Sequence, residues 1–396
     1  MSGSRPWEVR GSVRPRQARR RLRDTLTAYL FVSPSALIIG VFGIFPVFFT
    51  LYVSLFKWRL ARGSFYGLGN YAVLFGQSPV ALLAFLASVG GIVGAAALLR
   101  SGSRGRLAAG VALLLCSVAG CVIALPYLAS QGDKEVFDSI RVTIWYCVLT
   151  VPMQLVGGLL LAVLLSRRMR RGKQAFRVIS LTPYIAPTVA TAAIFELLFS
   201  LRPDSFANQV MKLFGSAPLQ WLQEPKGIIP LLFGANPSPA TGVITMYWAE
   251  WAQGPSLALV SIIFYSWWVF IGYYALIYMN GLGEIPRQLY EAAEVDGASR
   301  LRSFFSITVP LLSPTTYFLS LLGVIGTFKA FTHLYVLRNS AASGTVDPVS
   351  VSIFFAAFRK GNMGYASAIS LLLFVIVLGL TILQQRSTER SVTYGD

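Results

Sequence analysis

Eight long apolar runs constrain the fold of this chain more than any other feature. A helix needs about 20 residues to cross roughly 30 Å of hydrocarbon, and it is the open-chain structure that satisfies its own backbone there. Hydrophobic residues make up 55% of the chain and charged residues 13%, which excludes an ordinary soluble domain. The sequence therefore predicts an all-α, polytopic membrane helical bundle. The predicted spans are 29–56, 80–99, 107–129, 142–166, 178–200, 256–282, 310–337 and 366–385.

Basic residues predict the orientation of these spans, because cytoplasmic loops carry an excess of Lys and Arg. An arginine-rich stretch from Arg5 to Arg23 lies in the arm 1–28, just before the first span. We expect this arm to lie on anionic headgroups in the cytoplasm rather than on nucleic acid. Lys57, Arg59 and Arg62 conflict with this orientation, but the other short basic segments agree with it. Those segments are 100–106, 167–177, 284–309 and the tail 387–396.

The predicted setting is thus a bacterial-type cell (inner) membrane, crossed several times, with both termini in the cytoplasm. Within it, the loop 284–309 is a polar, small-residue segment between two apolar runs. Pro286 suits the start of a helix, and Gly297 suits its end and a turn. The pattern predicts a short helix, a turn, and a second helix that enters the membrane at Pro310.

The predicted short helix carries an unusual surface. Ala292 and Ala293 leave one strip of it almost without side chains, and Glu291 and Asp296 flank that strip with carboxylates. Another protein's backbone can approach such a strip closely, and carboxylates suit Arg or Lys on a partner. The residues therefore predict a projection that fits into a cleft on another protein.

This loop resembles the EAA loop of binding-protein-dependent ABC importer permeases. The residues that carry the resemblance are Glu291, Ala292, Ala293, Asp296, Gly297, Ala298, Ile307 and Pro310. Shorter stretches are similar to the carbohydrate branch of that family, the maltose and glycerol-phosphate type, and in particular to its F-like half. They are 30–34, 67–71, 280–286 and 364–368. The resemblance covers about 29–76 and 136–386.

The resemblance implies a permease subunit that carries a sugar or sugar-like solute by alternating access. Its implied partners are a dimer of ABC ATPase subunits, a second permease subunit, an extracytoplasmic solute-binding protein and membrane lipid. The loop would be the coupling helix inserted into the ATPase, which would bind ATP and Mg. The chain has no phosphate-binding loop, catalytic constellation or metal-ligand spacing, so we expect neither an enzyme nor a cofactor in this chain.

The implied core has six spans, and two regions depart from it. Residues 77–135 insert a hydrophobic hairpin, in which Gly90 and Gly94 are spaced for close helix packing. The outer loop 201–255 is long and rich in Pro, Trp and Gly, and it either contacts the binding protein or covers the cavity. The other predicted parts of the chain are the first core span with its outer loop, 29–76, and the permease core, 136–386.

Polar and aromatic side chains inside spans are candidates for the substrate path, because such groups usually face a cavity or a neighbouring helix. The alternative for the aromatic residues is a belt at the membrane interface. We expect Lys329 to face the protein interior, His333 to lie at the interface, and Pro183 and Pro187 to bend the fifth span. The candidates are Gln154, Tyr184, Tyr265, Trp267, Trp268, Tyr273, Tyr274 and Lys329.

Two other functions are compatible with these features. One is a secondary transporter driven by an ion gradient, and the other is a membrane scaffold that has lost its solute. The solute itself is left open, because disaccharides, oligosaccharides, polyols and glycerol phosphate all suit such a chain.

Overall fold

Helices make up most of the structure, a computed structural model that describes residues 15–99, 103–166, 173–215, 217–234 and 242–388. Six of the described helices are long and apolar enough to cross a membrane, or up to eight spans if each of two bent pairs is counted as one. The prediction of an all-α, multi-pass bundle is confirmed. The chain divides into two compact units, Met1–Val53 and Ser54–Asp396.

The described part of the first unit, from Pro15 onward, is helical. Helix α1 covers Pro15–Ile38, a π-helical segment covers Ile39–Ile44, and α2 covers Phe45–Ser54. From Asp24 onward nearly all of its side chains are exposed, as expected of a helix surrounded by lipid. Helix α1 runs across position 28, so the described part of the basic arm continues into the first span without a break.

A small hairpin opens the second unit. Strands β1 (Phe56–Trp58) and β2 (Arg62–Phe65) are antiparallel, and α3 covers Gly69–Phe75. The side chain of Asn70 donates hydrogen bonds to the carbonyls of Ser54 and Phe56, at 2.7 and 3.1 Å. A Cβ on Gly364 would lie 2.2 Å from the same Phe56 carbonyl oxygen, so two of the family-like stretches meet here.

Helices α4 (Pro79–Leu99) and α5 (Arg104–Gln131) form the inserted hairpin. They approach closely at two glycines: a Cβ on Gly91 would lie 2.1 Å from Ser117 Oγ, and one on Gly120 would lie 2.2 Å from Ser88 Oγ. Small residues allow such contacts between membrane helices. The prediction of close packing was right, and Gly94 faces α5, where an added Cβ would lie 3.6 Å from Leu113 Cδ2. Gly90 was wrong, because a Cβ there would meet nothing within 4 Å.

The centre of the second unit is a pair of long helices, α6 (Lys134–Ser166) and α12 (Leu257–Glu284). Gly158 of α6 lies against the backbone of α12, where an added Cβ would come within 2.5 Å of Tyr274 Cβ. Half of the α12 span is buried inside the chain. This pair therefore forms the framework on which the other helices pack.

Two predicted spans are not continuous helices. The span 178–200 consists of α7 (Lys173–Ile185) and α8 (Thr188–Leu198), which meet at 98°. Pro187, which lacks a backbone N–H, stands at the break and precedes α8, so the bend predicted there is confirmed. Pro183 lies inside the continuous helix α7 instead of at the break.

The span 310–337 is also interrupted. Helices α9 (Phe206–Leu213), α10 (Ile228–Phe233) and α11 (Val243–Ala252) lie in the long loop before α12. Three short helices lie in the loop after it: α13 (Arg287–Val295), α14 (Arg300–Ser303) and α15 (Val309–Leu311). Helix α16 then ends at Phe328, where the Ala330 carbonyl accepts a hydrogen bond from Ser350 Oγ at 2.5 Å instead of continuing the helix. The last helices are α16 (Ser313–Phe328), α17 (Thr332–Leu337), α18 (Val349–Phe354) and α19 (Met363–Thr388).

Helix α11 is attached to both the hairpin and the core. Its Trp248 indole donates to the carbonyl of Val122 on α5, at 3.0 Å. Arg141 of α6 donates a short hydrogen bond to Glu250 and pairs with Asp138 at 3.1 Å. These contacts hold the loop 201–255 against the bundle through its last helix.

We expect the substitution Arg141→Met to destabilise the protein by about 1.5–3 kcal/mol, the usual cost of losing a hydrogen bond to a charged group. It leaves the carboxylates of Asp138 and Glu250 without the cation they share. Thermal unfolding in detergent measures the loss. Lys134→Met is the matched control, because Lys134 lies 3.6 Å from Glu250 with its side chain 73% exposed, so its pair contributes little. Equal melting of the two variants would contradict the prediction.

Candidate functional site

Helix α13 (Arg287–Val295) occupies the loop in which a short helix was predicted. Pro286 precedes it, and Gly297 follows it with a φ of +75°. The Ala298 N–H donates to the Ala293 carbonyl at 2.8 Å, and the Gly297 N–H donates to Glu294 at 3.1 Å. This is the Schellman arrangement, in which a glycine in the left-handed region ends a helix. The predicted helix and turn are confirmed.

The chain then returns toward the bundle. Helix α14 (Arg300–Ser303) is capped by Ser299, and a π-helical segment, Phe304–Thr308, leads into α15 (Val309–Leu311). The hydroxyls of Tyr290 and Thr308 are 2.9 Å apart and join the two limbs of the loop. The stretch Arg300–Leu311 then meets α16 at a bend of 63°, next to Pro310. Entry into the membrane at Pro310 stays a prediction.

The loop presents its surface to the outside of the chain. Val295 is 88% exposed and Leu301 is 70% exposed, so the loop offers apolar surface to another molecule. Of the predicted coupling residues, Ala293, Ala298 and Ile307 are half-buried. The exposed ones are Glu291, Ala292, Asp296, Gly297 and Pro310.

A cavity of about 220 Å³ lies between α6, α7, α12 and the end of α16. Four predicted substrate-path residues line it: Gln154, Tyr184, Tyr273 and Tyr274. The rings of Tyr184 and Tyr273 are stacked with their centroids 4.5 Å apart. The Gln154 amide nitrogen donates to the Ser266 carbonyl at 3.3 Å. The structure therefore gathers aromatic faces and one amide around a single space.

The other four candidates lie elsewhere. Tyr265 is fully buried, with its hydroxyl 2.7 Å from that of Thr191. The Trp267 indole donates to the Leu149 carbonyl at 3.2 Å, and Trp268 is 49% exposed on the outside of α12. Lys329 is exposed rather than packed inside the chain, because α16 ends at Phe328 and places it on the following turn.

The cavity also contains residues that the sequence did not point to. His333 is buried inside the chain, and its Nε2 lies 2.7 Å from the Tyr146 hydroxyl, which is also 2.7 Å from Ser266 Oγ. Tyr146 was detectable, because it lies eight residues before Gln154 and therefore on the same face of one helix. His333 was not, because its place depends on the break that starts α17.

The cavity and the loop share the same two long helices. Gln154 of α6 lines the cavity, and Val163 of α6 lines a second cavity of about 580 Å³ behind the loop. On α12, Tyr274 lines the first cavity and Met279 lines the second. Nine residues of helix separate Gln154 from Val163, which is about 14 Å. Continuous helix therefore joins the walls of the two cavities.

Comparison with known proteins identifies the family. Residues 154–391, more than half of the chain, match the family described as "Binding-protein-dependent transport system inner membrane component". The chain belongs to this family. The matched range contains the cavity residues from Gln154 onward and the whole loop 284–309. This is a family of membrane permease subunits of sugar ABC importers, as the resemblance implied.

Individual relatives of this permease agree with its assignment to the carbohydrate branch of the family. The trehalose/maltose transport system permease protein MalF of Thermococcus litoralis is 30% identical over 256 residues, covering 65% of this chain and 76% of the relative. The sn-glycerol-3-phosphate transport system permease protein UgpA of Rhizobium meliloti is 30% identical over 274 residues, covering 68% and 81%. These two relatives confirm the carbohydrate branch.

A solved structure shares the fold of this permease. It is a bacterial alginate ABC transporter in complex with an alginate pentasaccharide-bound periplasmic protein. The match has a TM-score of 0.52 and 19% identity, and it covers 72% of this chain and 96% of that chain. At this identity the likeness supports the helical architecture alone.

Proposed function

We propose that this chain is the transmembrane subunit of an ATP-driven importer and that it moves a sugar or sugar-like solute by alternating access. The observation that carries the proposal is the exposed helix α13, which ends at Gly297 and is tied to the returning limb by Tyr290 and Thr308. This projection has a fixed shape and an uncovered apolar surface. A separate ATPase subunit that grips it supplies the energy.

The mechanism follows from the connection between α12 and α13. Two residues, Ile285 and Pro286, separate the two helices, and Pro286 cannot rotate freely about φ. A displacement of α13 by the ATPase is therefore passed to α12 rather than absorbed by a flexible loop. Since α12 carries Tyr273 and Tyr274, the same displacement alters the cavity.

The partners in this proposal are the ones implied by the family. An ATPase dimer binds ATP and Mg on the cytoplasmic side, a second permease subunit completes the path, and an extracytoplasmic solute-binding protein delivers the solute. Both termini lie in the cytoplasm of a cell with this protein in its inner membrane. The aromatic cavity supports a sugar-like solute, because aromatic faces cover C–H surfaces while amides and hydroxyls bind the rim.

Crosslinking at the loop tests the proposal. A photoreactive residue in place of Val295, which is 88% exposed, is expected to capture an ATPase subunit in native membranes. Leu60, 99% exposed on the β1–β2 turn, is the matched control and is expected to capture none. Mass spectrometry identifies the products. If no ATPase is captured from Val295, the coupling proposal fails, and an ion-gradient carrier or a scaffold becomes the better explanation.

A further inference from the structure

We propose that the cavity between α6, α12 and α16 accepts an uncharged saccharide and rejects sugar acids and sugar phosphates. This inference rests on the proposed function and names its class of solute. Family membership does not decide the matter, because the relatives include permeases named for both uncharged sugars and a phosphate ester.

The wall of the cavity contains no carboxylate, ammonium or guanidinium group from the described residues. The ring of His333 is buried, and its Nε2 lies 2.7 Å from the Tyr146 hydroxyl. The charged residues on α7, on α8 and in the turn after α16 include Arg177, Glu196 and Lys329. None of them lines the cavity.

A charged solute would lose water in this cavity without gaining a partner. Burial of an unpaired carboxylate or phosphate is far more costly than burial of a hydroxyl that finds a hydrogen bond. A neutral sugar finds such bonds here, because the Gln154 amide oxygen accepts no hydrogen bond from the described residues. The cavity therefore favours hydroxyls over anions.

The shape of the cavity agrees with a sugar ring. The stacked pair of Tyr184 and Tyr273, with Tyr274 at a centroid distance of 6.1 Å from Tyr273, forms an aromatic wall. Such a wall suits the C–H face of a pyranose or furanose. At about 220 Å³ the space is below the usual 300–1,000 Å³ of pockets for drug-sized ligands, so it accommodates one ring at a time.

Saturation-transfer NMR on the assembled importer in nanodiscs, without the binding protein, tests the inference directly. The probes are maltose, trehalose and arabinobiose against digalacturonate, trehalose 6-phosphate and glycerol 3-phosphate. We expect transfer to at least one neutral probe and at least about tenfold less to every anionic probe. Equal or stronger transfer to an anionic probe overturns the inference, and so does the absence of transfer to all six.

A substitution at Gly326 provides the second test. Gly326 lines the cavity, and a Cβ there would meet nothing within 4 Å, so a longer side chain has room. We expect Gly326→Lys to raise the ratio of anionic to neutral transfer by about tenfold, because the new ammonium supplies the missing partner. Gly326→Met, of similar length and without charge, is expected to lower both signals alike. An unchanged ratio in the lysine variant counts against the inference.

Failure of this inference differs from failure of the proposed function. If the importer shows ATP-dependent uptake but binds anionic probes as well as neutral ones, the permease function stands and the inference fails. If the Val295 probe captures no ATPase and uptake does not depend on ATP, the proposed function fails, and saturation transfer then reports only on the cavity.

Discussion

The substitution Gly297→Val is expected to reduce ATP-dependent solute uptake by about tenfold or more while leaving membrane insertion unchanged. Gly297 has a φ of +75°, a conformation that costs a β-branched residue about 1–3 kcal/mol. No atom would clash with its Cβ, so the cost arises from the backbone alone. The turn relaxes, and α13 loses the orientation it needs on the ATPase. Uptake into proteoliposomes that contain the whole importer measures the effect.

The matched control for this prediction is Gly297→Asn, because asparagine tolerates the left-handed region better than other residues. We expect it to retain most of the uptake. In Ala293→Trp a large side chain blocks close approach of a partner to the same surface, and this variant is expected to abolish uptake as well. Normal uptake in both the valine and the tryptophan variants would refute the role of α13 in coupling.

The substitution Gly272→Ala is expected to destabilise the protein more than the addition of one methyl group at any other position of the described core. A Cβ at Gly272 of α12 would lie 1.9 Å from the carbonyl oxygen of Ser180 on α7. The obstacle is backbone, so no side chain can rotate away and the two helices must separate. Overpacking of this kind costs about 1–3 kcal/mol and sometimes more. Thermal unfolding of the purified protein in detergent measures it.

Gly283→Ala is the control for this second prediction. Gly283 lies on the same helix, and a Cβ there would meet nothing within 4 Å. Alanine also forms helix better than glycine by about 1 kcal/mol, so this variant is expected to be as stable as the parent or more stable. If the two variants unfold at the same temperature, the close approach of α7 and α12 at Gly272 does not hold in the membrane protein.

Much of this fold is predictable because its determinants are local. The spans follow from apolar runs, and α13 with its turn follows from Pro286 and Gly297, which act within a few residues. Pro187 predicts a bend in the same way. The angle of 98° was not predictable, because it depends on what α7 and α8 pack against.

The cavity was predictable only in part, because it depends on which helices meet. Gln154, Tyr184, Tyr273 and Tyr274 were found from polarity inside spans. The hydrogen bond between Tyr146 and His333 joins residues 187 positions apart, and periodicity within one helix cannot reveal it. The exposed position of Lys329 depends on where α16 ends, and Ser350, from a later segment, helps to set that end.

The two ends of the inserted hairpin almost touch. A Cβ on Gly76 would lie 2.6 Å from the backbone of Gln131, and the Asp133 N–H donates to the Leu74 carbonyl at 3.2 Å. The main chain therefore leaves the core and rejoins it at nearly one point. For the ancestry of this protein, this means that an entire membrane hairpin can be gained or lost in one genetic step. The helices that follow keep their path and their orientation. For the laboratory, it makes residues 76 and 132 the natural junction at which to excise the hairpin or splice a reporter domain in its place.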